Sequence, residues 1–274
     1  MIEKIVIRNA FENLGLRGQC VCVHSSMRSF GCSVEGGVEA VIDSFLEAGC
    51  TLLSPTFDYD YEVYPPPHLR PERNGISDYS IYDERVYPEP RIFSTDSVDI
   101  TKGDMGVLPY TLLRTSGRER GRHSILSFAA AGDVAAELVQ GQSASAVWDP
   151  FRALCERDGF VLLMGVGLNR ATILHYAEQL AGRTPFVRWA NSQEGIPEVC
   201  EYGSCSEGFE SFADVLKPIE TGVQVGGSVW RCFPAREMVR LCVAAMKENP
   251  EMTSCGNPDC DRCRDAVLGG PVWG

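Results

Sequence analysis

Apolar residues recur with a helical period over residues 3–15, where Ile5, Ile7, Phe11 and Leu14 form one stripe and Gly15 ends it. The run from Gln19 to His24 is apolar almost without interruption and reads as a buried strand. A polar loop, Ser25 to Ser33, separates it from a segment at 36–48 whose Val38, Val41, Ile42 and Phe45 again have helical spacing. Thr51 to Leu53 then predicts a second short strand, closed by Pro55. Strand, loop, helix and strand in this order make a βαβ unit, which requires parallel strands with helices packed on the sheet. The pattern therefore predicts an α/β fold: one domain over 1–274 with a central, mainly parallel sheet flanked by helices.

From about 58 to 102 no period is sustained. Tyr, Pro, Asp and Glu dominate, and Pro65-Pro66-Pro67 cannot sit inside a helix or central strand. The many tyrosines mark this stretch as an ordered excursion, since disordered segments are poor in aromatics. Helical patterning returns near Asp133 to Val139 and Pro150 to Glu156; Phe160 to Met164 reads as a strand, and further helices begin near Ala171 and span about Ala235 to Lys247. A cysteine-bearing tail at about 250–274 closes the chain.

The formal net charge of −12 argues against a nucleic-acid partner, which needs a basic face; its field would draw in a cationic ligand, and an acidity that only keeps the protein soluble accounts for the charge equally well. No run of about 18 apolar residues suggests a membrane span, and the charged start Met1-Ile2-Glu3-Lys4 lacks the hydrophobic core of a signal peptide, so a cytoplasmic location is expected. In that setting the 12 cysteines read as reduced thiols, with Cys20 and Cys22 as core residues. Arg114, Arg118, Arg120 and Arg122 form the densest cluster of positive charge.

Two segments carry candidate chemistry. In the first, Val23-His24-Ser25-Ser26-Met27-Arg28 precedes Gly31 and a helix opened by Val34-Glu35-Gly36-Gly37, where free backbone N–H groups favour an anion. In the second, Gly165-Val166-Gly167 precedes Thr172, His175 and Glu178, whose spacing by three spreads them over about 120° of one helix side. An amine must shed a proton before it attacks a thioester. Histidine titrates in the right range to accept it, a carboxylate one turn away can fix its tautomer, and a threonine hydroxyl can donate to the oxyanion. A histidine merely tied to a helix neighbour satisfies the same spacing.

Val23-His24-Ser25-Ser26, Leu53-Ser54-Pro55-Thr56-Phe57, Arg120-x-x-His123 with Ser127, Gly165-Val166-Gly167 and Thr172-x-x-His175-x-x-Glu178 occur in the order found in aminoglycoside 3-N-acetyltransferases. Across roughly residues 5–250 the chain resembles that antibiotic N-acetyltransferase family. The resemblance implies the family's own α/β fold rather than the common N-acetyltransferase superfamily fold, whose pyrophosphate loop the nearest segment, Arg28 to Ser33, fails to match. It implies acetyl transfer from acetyl-CoA, without a metal, to an amino group of a small cationic acceptor. His175 is then the general base, Glu178 its partner and Thr172 the stabiliser of the tetrahedral intermediate. Ser25, Ser26, Arg28, Val34, Gly36, Gly37, Arg120 and His123 are the implied coenzyme A set. The usual Arg-Ser-x-His-Pro is Arg120-Gly121-Arg122-His123-Ser124 here, and the 58–102 excursion is longer than resistance enzymes lead one to expect.

The acceptor is expected between that excursion and the loop Cys205-Ser206-Glu207-Gly208, with Asp58, Asp60 and Glu207 as acidic contacts. It is an aminoglycoside at its 3-amino group, or alternatively a biosynthetic amine that is no antibiotic. The assembly is left open, a homodimer included. A rival reading from another class is a metal-binding module on Cys255-x4-Cys260-x2-Cys263. Four zinc ligands would then require Cys242, Cys232 or Asp259 as well, and a packed terminal turn with reduced thiols is the preferred reading of the tail.

Overall fold

In a computed structural model that describes residues 1–274, apart from Pro88 and the side chains of Lys102 and Asp104, the apolar run at 19–24 forms a strand, β1 (Cys20–Ser25), at the centre of a seven-stranded sheet. Its side chains alternate between two cores: Cys20 and Cys22 face one, Val21 and Val23 the other, as the period of two requires. Both faces are covered, which is why the strand reads as a continuous apolar run. The flanking elements are α1 (Lys4–Asn13), α2 (Gly37–Glu47) and β2 (Thr51–Pro55), and β1 pairs parallel with β2. Ile7, Ala10 and Phe11 bury the inner face of α1, whereas Ile5 is 51% exposed and lies off the stripe expected from spacing.

After the excursion come α3 (Lys102–Met105), α4 (Val107–Leu112), β3 (Glu119–Arg120), β4 (Phe128–Ala131), α5 (Ala135–Val139), α6 (Asp149–Glu156), β5 (Phe160–Met164) and α7 (Ile173–Leu180). The chain then forms β6 (Phe186–Asn191), β7 (Pro197–Tyr202), α8 (Ala213–Leu216), β8 (Thr221–Val225), β9 (Ser228–Pro234), α9 (Ala235–Glu248) and α10 (Asp261–Val267). The sheet order is β3-β4-β2-β1-β5-β9-β8. Its centre, β2-β1-β5, is parallel, with Ser25 opposite Met164, while β4 and β9 flank it antiparallel. Residues of α1, α2 and α4 share one core, around Phe11, Phe45 and Trp230, and those of α5, α6, α7 and α9 share the other. The result is a three-layer α/β/α arrangement.

Within the excursion, aromatic residues pack against the chain that follows. Ile76 and Tyr82 share a third core with Val187 and Trp189 of the β6–β7 hairpin, an antiparallel pair outside the main sheet. Asn74 is buried and pairs with the backbone of Val187 through both ends of its amide. The excursion is thereby held against the hairpin, beside the carboxyl ends of the central strands. No helix among the described residues is long and apolar enough to cross a membrane.

Candidate active site

In an open α/β sheet, the carboxyl ends of parallel strands leave a crevice where successive connections leave on opposite sides. Here the chain leaves β1 for β2 on one side and returns as β5 on the other. A cleft of about 560 Å³ lies at that edge, within the range of small-molecule sites. It is lined by Ser25 at the end of β1 and Ser26 after it, Ser54 and Pro55 of β2, Val166 and Arg170 after β5, Thr172 and His175, and residues of the segment at 202–206. Gly165 makes the turn out of β5 with φ +68°, and a Cβ there would collide with Ser29 Oγ, so only glycine fits.

His175 lies one turn into α7, buried and stacked on Trp148 with ring centroids 5.3 Å apart, while Phe209 closes from another side at 4.9 Å. Its Nδ1 is 2.8 Å from Glu178 Oε2. An ionised carboxylate can only accept, so Nδ1 carries a proton, and in the neutral imidazole Nε2 then holds the lone pair. Nε2 lies beside Gly203, where an added Cβ would come within 3.1 Å of it. Glu178 is itself held by three donors: His175, Ser204 Oγ at 2.6 Å to the same oxygen, and Arg183 Nη1 at 2.7 Å to Oε1. Burial alone would raise its pKa, but these contacts outweigh burial and bring it below the ordinary value. Arg183 also donates to Thr253 Oγ1 and to the Pro250 carbonyl, which ties the histidine's support to the C-terminal segment.

Thr172 lines the cleft one turn before His175. Ser25, Ser26 and Arg28 line it as well, whereas Val34, Gly36 and Gly37 lie outside the lining, at the start of α2. Arg120 and His123 do not reach it, contrary to the role implied for them. Arg120 is 4% exposed and spends its guanidinium on the carbonyls of Thr56, Ser97 and Asp99 and on Ser127 Oγ. His123 is fully buried: Nε2 donates to the Glu201 carbonyl, and Nδ1 accepts from Leu126 N–H at 2.9 Å. Burial pushes its pKa down to about 4. Arg118 likewise bonds the carbonyls of Asp96 and Ser97, so it and Arg120 clamp the end of the excursion to the sheet edge, whereas Arg114 bonds the Tyr110 carbonyl one turn back. Three exposed arginines line the cleft instead, Arg28, Arg170 and Arg262, and among the described residues none of them has an ion-pair partner. Two of these, Arg170 and Arg262, are separated by too much sequence for charge patterning to join them.

The acidic contacts also fall differently. Asp58 is 2% exposed and caps the turn at Tyr59–Tyr61, accepting from Asp60 N–H and Thr101 Oγ1 and pairing with Arg91, so it is consumed in structure. Asp60 is exposed beside Arg91, outside the lining. Glu207 accepts from Asn169 Nδ2 at 3.2 Å, and Asn169 and Ser206 both line the cleft, which puts Glu207 at its lip. Ser204, Arg183, Trp148 and Phe209 carry no local motif and were not anticipated. In the tail, Cys255, Cys260 and Cys263 do converge, but on Cys205 rather than on Cys242, Cys232 or Asp259. Cys242 and Cys232 are buried in the two main cores, and Asp259 is exposed.

The family model for aminoglycoside 3-N-acetyltransferases matches residues 22–247, most of the chain. Among curated relatives, aminoglycoside N(3)-acetyltransferase IX of Micromonospora chalcea is 32% identical over 64% of this chain and 61% of its own length. Aminoglycoside N(3)-acetyltransferase III of a Salmonella species is 29% identical over 70% of this chain and 65% of its own. The matched part of the chain thus spans less than two thirds of these relatives. The crystal structure of aminoglycoside acetyltransferase AAC(3)-IVa, apoenzyme, superposes with a TM-score of 0.73 over 98% of this chain and 97% of that one, at 25% identity. A mutant of that enzyme in complex with a gentamicin gives a TM-score of 0.74 over the same shares and at the same identity.

Proposed function

The chain belongs to the aminoglycoside 3-N-acetyltransferase family, and from that premise we propose that it transfers the acetyl group of acetyl-CoA to an amino group of a small cationic acceptor, an aminoglycoside at its 3-amino position. The observation that carries the mechanism is His175, with Nδ1 bonded to Glu178 and the ring lining the cleft, which leaves Nε2 of the neutral imidazole as the base. The acceptor reacts as the free amine. As its nitrogen bonds to the thioester carbonyl carbon, the nitrogen becomes cationic and gives a proton to Nε2, while the carbonyl electron pair moves to oxygen, where the Thr172 hydroxyl donates. Collapse of this intermediate breaks the carbon–sulfur bond, and the imidazolium returns the proton to the departing thiolate. Glu178, held by Ser204 and Arg183, stays ionised throughout and stabilises the transient imidazolium.

Coenzyme A is an anion in a chain of net charge −12, so its phosphates need local cations. Arg28 and Arg170, exposed at the cleft and without ion-pair partners among the described residues, supply them, with the hydroxyls of Ser25 and Ser26 beside the pantetheine arm. Val34, Gly36 and Gly37 then act at most on the outer part of the cofactor. Glu207 and Asp60 are the acids still exposed for a cationic acceptor. An assay of thiol release from acetyl-CoA against a panel of aminoglycosides and simple amines tests the whole reading. Turnover confined to aminoglycosides bears it out. Turnover with simple amines alone, or with none of the panel, removes the substrate assignment.

A further inference from the structure

Four cysteines that no part of the acetyl-transfer reading uses come together behind the cleft. Cys205 lies in the loop after β7; Cys255 follows the turn at Pro250–Thr253; Cys260 caps α10, and Cys263 is in its first turn. Their sulfurs all lie within 4.8 Å of one another, and Cys205 and Cys263 are buried. Bonds of about 2.3 Å from zinc to four tetrahedral thiolates put the sulfurs about 3.8 Å apart, so small side-chain rotations would close the cluster on one ion. The four side chains form no disulfide in the structure.

We propose that Cys205, Cys255, Cys260 and Cys263 bind one structural zinc ion. The donor set is that of a closed site with no position for water, and softness favours zinc among common divalent ions. Binding replaces four S–H bonds with four S–Zn bonds and releases four protons, leaving a doubly negative centre. The backbone is arranged to receive that charge, since the N–H of Cys255 points at Cys263 Sγ at 3.4 Å. Such N–H···S contacts are the outer contacts that orient thiolate ligands.

The ion would add to direct bonds between these segments: Arg73 donates to the Gly270 and Leu268 carbonyls, and Ser211 Oγ to the Met252 carbonyl. Cys205 adjoins Ser204, which donates to Glu178, and α10 reaches the excursion through Asp265, which accepts from Gly75 N–H, and Asp261, which accepts from Ser77 N–H. One metal centre would therefore fasten the loop beside His175, the C-terminal tail and the excursion together. It is remote from the reacting atoms in role: it positions a wall of the cleft and takes no part in proton transfer.

The test uses the full chain, purified without added metal or chelator, with metal measured by mass spectrometry. The expected result is about one zinc per chain, kept in Cys242→Ala and lost in both Cys205→Ser and Cys260→Ser/Cys263→Ser. Protein grown on cobalt should show the intense visible bands of a tetrahedral tetrathiolate site, which identifies the ligands even where a variant fails to fold. Alkylation of denatured, unreduced protein should reach all 12 cysteines. Wild-type protein without metal overturns the proposal: a deficit of four alkylated cysteines would then mean two disulfides, and full alkylation would mean packed thiols only. Metal retained in both ligand variants would also overturn it.

Discussion

Replacing Glu178 by glutamine and by alanine should affect rate and stability in opposite order. The carboxylate meets only donors: His175 Nδ1–H and Ser204 O–H at one oxygen, Arg183 at the other. An amide has one oxygen and one NH₂ group, so one side must now face donor against donor. Arg183 cannot give up its proton, and at 9% exposure it cannot turn to water. The amide oxygen therefore stays on Arg183 and the NH₂ faces His175. The ring relieves the clash by moving its proton from Nδ1 to Nε2, which is the wrong tautomer for a base. A carboxylate-to-amide change at a comparable orienting position lowers rate by about 10⁴, and about 10² to 10⁴ is expected for Glu178→Gln. Alanine leaves Nδ1 free to bond Ser204 Oγ, already 3.3 Å away, and does not force the tautomer, so it should retain more activity. Stability should run the other way. Breaking a buried pair costs about 3–5 kcal/mol; Arg183 keeps Thr253 and Pro250 in both variants and the amide oxygen only in Glu178→Gln, so glutamine belongs near or below the lower figure and alanine near the upper. At about 2–4 °C per kcal/mol, melting temperatures fall by roughly 6–12 °C for a loss of 3 kcal/mol. The measurements are kcat per folded enzyme by thiol release and unfolding by denaturant. If Glu178→Gln keeps near-normal turnover, or Glu178→Ala is the slower of the two per folded enzyme, the tautomer argument is wrong.

His175→Ala should lower kcat by at least about 10² with acetyl-CoA binding nearly intact, as base catalysis supplies about 10² to 10⁴; near-normal turnover in a folded variant would remove His175 from the mechanism. Arg28→Ala and Arg170→Ala should each raise KM for acetyl-CoA by about 10-fold at low salt, the loss of one charge-assisted bond, with a smaller effect at high salt; an unchanged KM at low salt would exclude the arginine as a phosphate contact. Stability should fall on acidification because His123 has a folded pKa pushed down to about 4 against an unfolded value of 6.5. The unfolded chain then binds more protons between these values, so the stability present above pH 6.5 is lost at about 1.4 kcal/mol per pH unit as pH falls towards 4. His24, pushed down to about 3 by burial, adds in the same direction. Denaturant unfolding at pH 6.5 and pH 5 should differ by about 1.6 kcal/mol from His123 alone, and a His123→Gln variant that leaves the slope unchanged would refute its source.

What local pattern could determine was the framework. The strands β1, β2 and β5 and the helices α1, α2, α6 and α9 were legible because each buries a whole face and so carries an apolar period. The strands β6 to β9 were not: β8 is largely exposed and β6 buries Arg188 and Asn191 within its run, so neither shows a simple alternation. The pair His175 and Glu178 was legible because three residues along one helix is a short-range contact. Its supports were not: Ser204 lies 26 residues beyond Glu178 and Trp148 well before it, and chain distance carries no record of spatial approach. Polar residues were misplaced for a related reason. Asp58, Arg120 and His123 look in sequence like groups available to a ligand, yet the fold buries each one and commits its polar atoms to backbone and side-chain partners of its own, since a buried polar group must find a partner or be strongly destabilising. The cysteine tail shows the division most plainly: the spacing of Cys255, Cys260 and Cys263 was visible from the start, but only the packing of the loop after β7 against α10 brought Cys205 to them as the fourth.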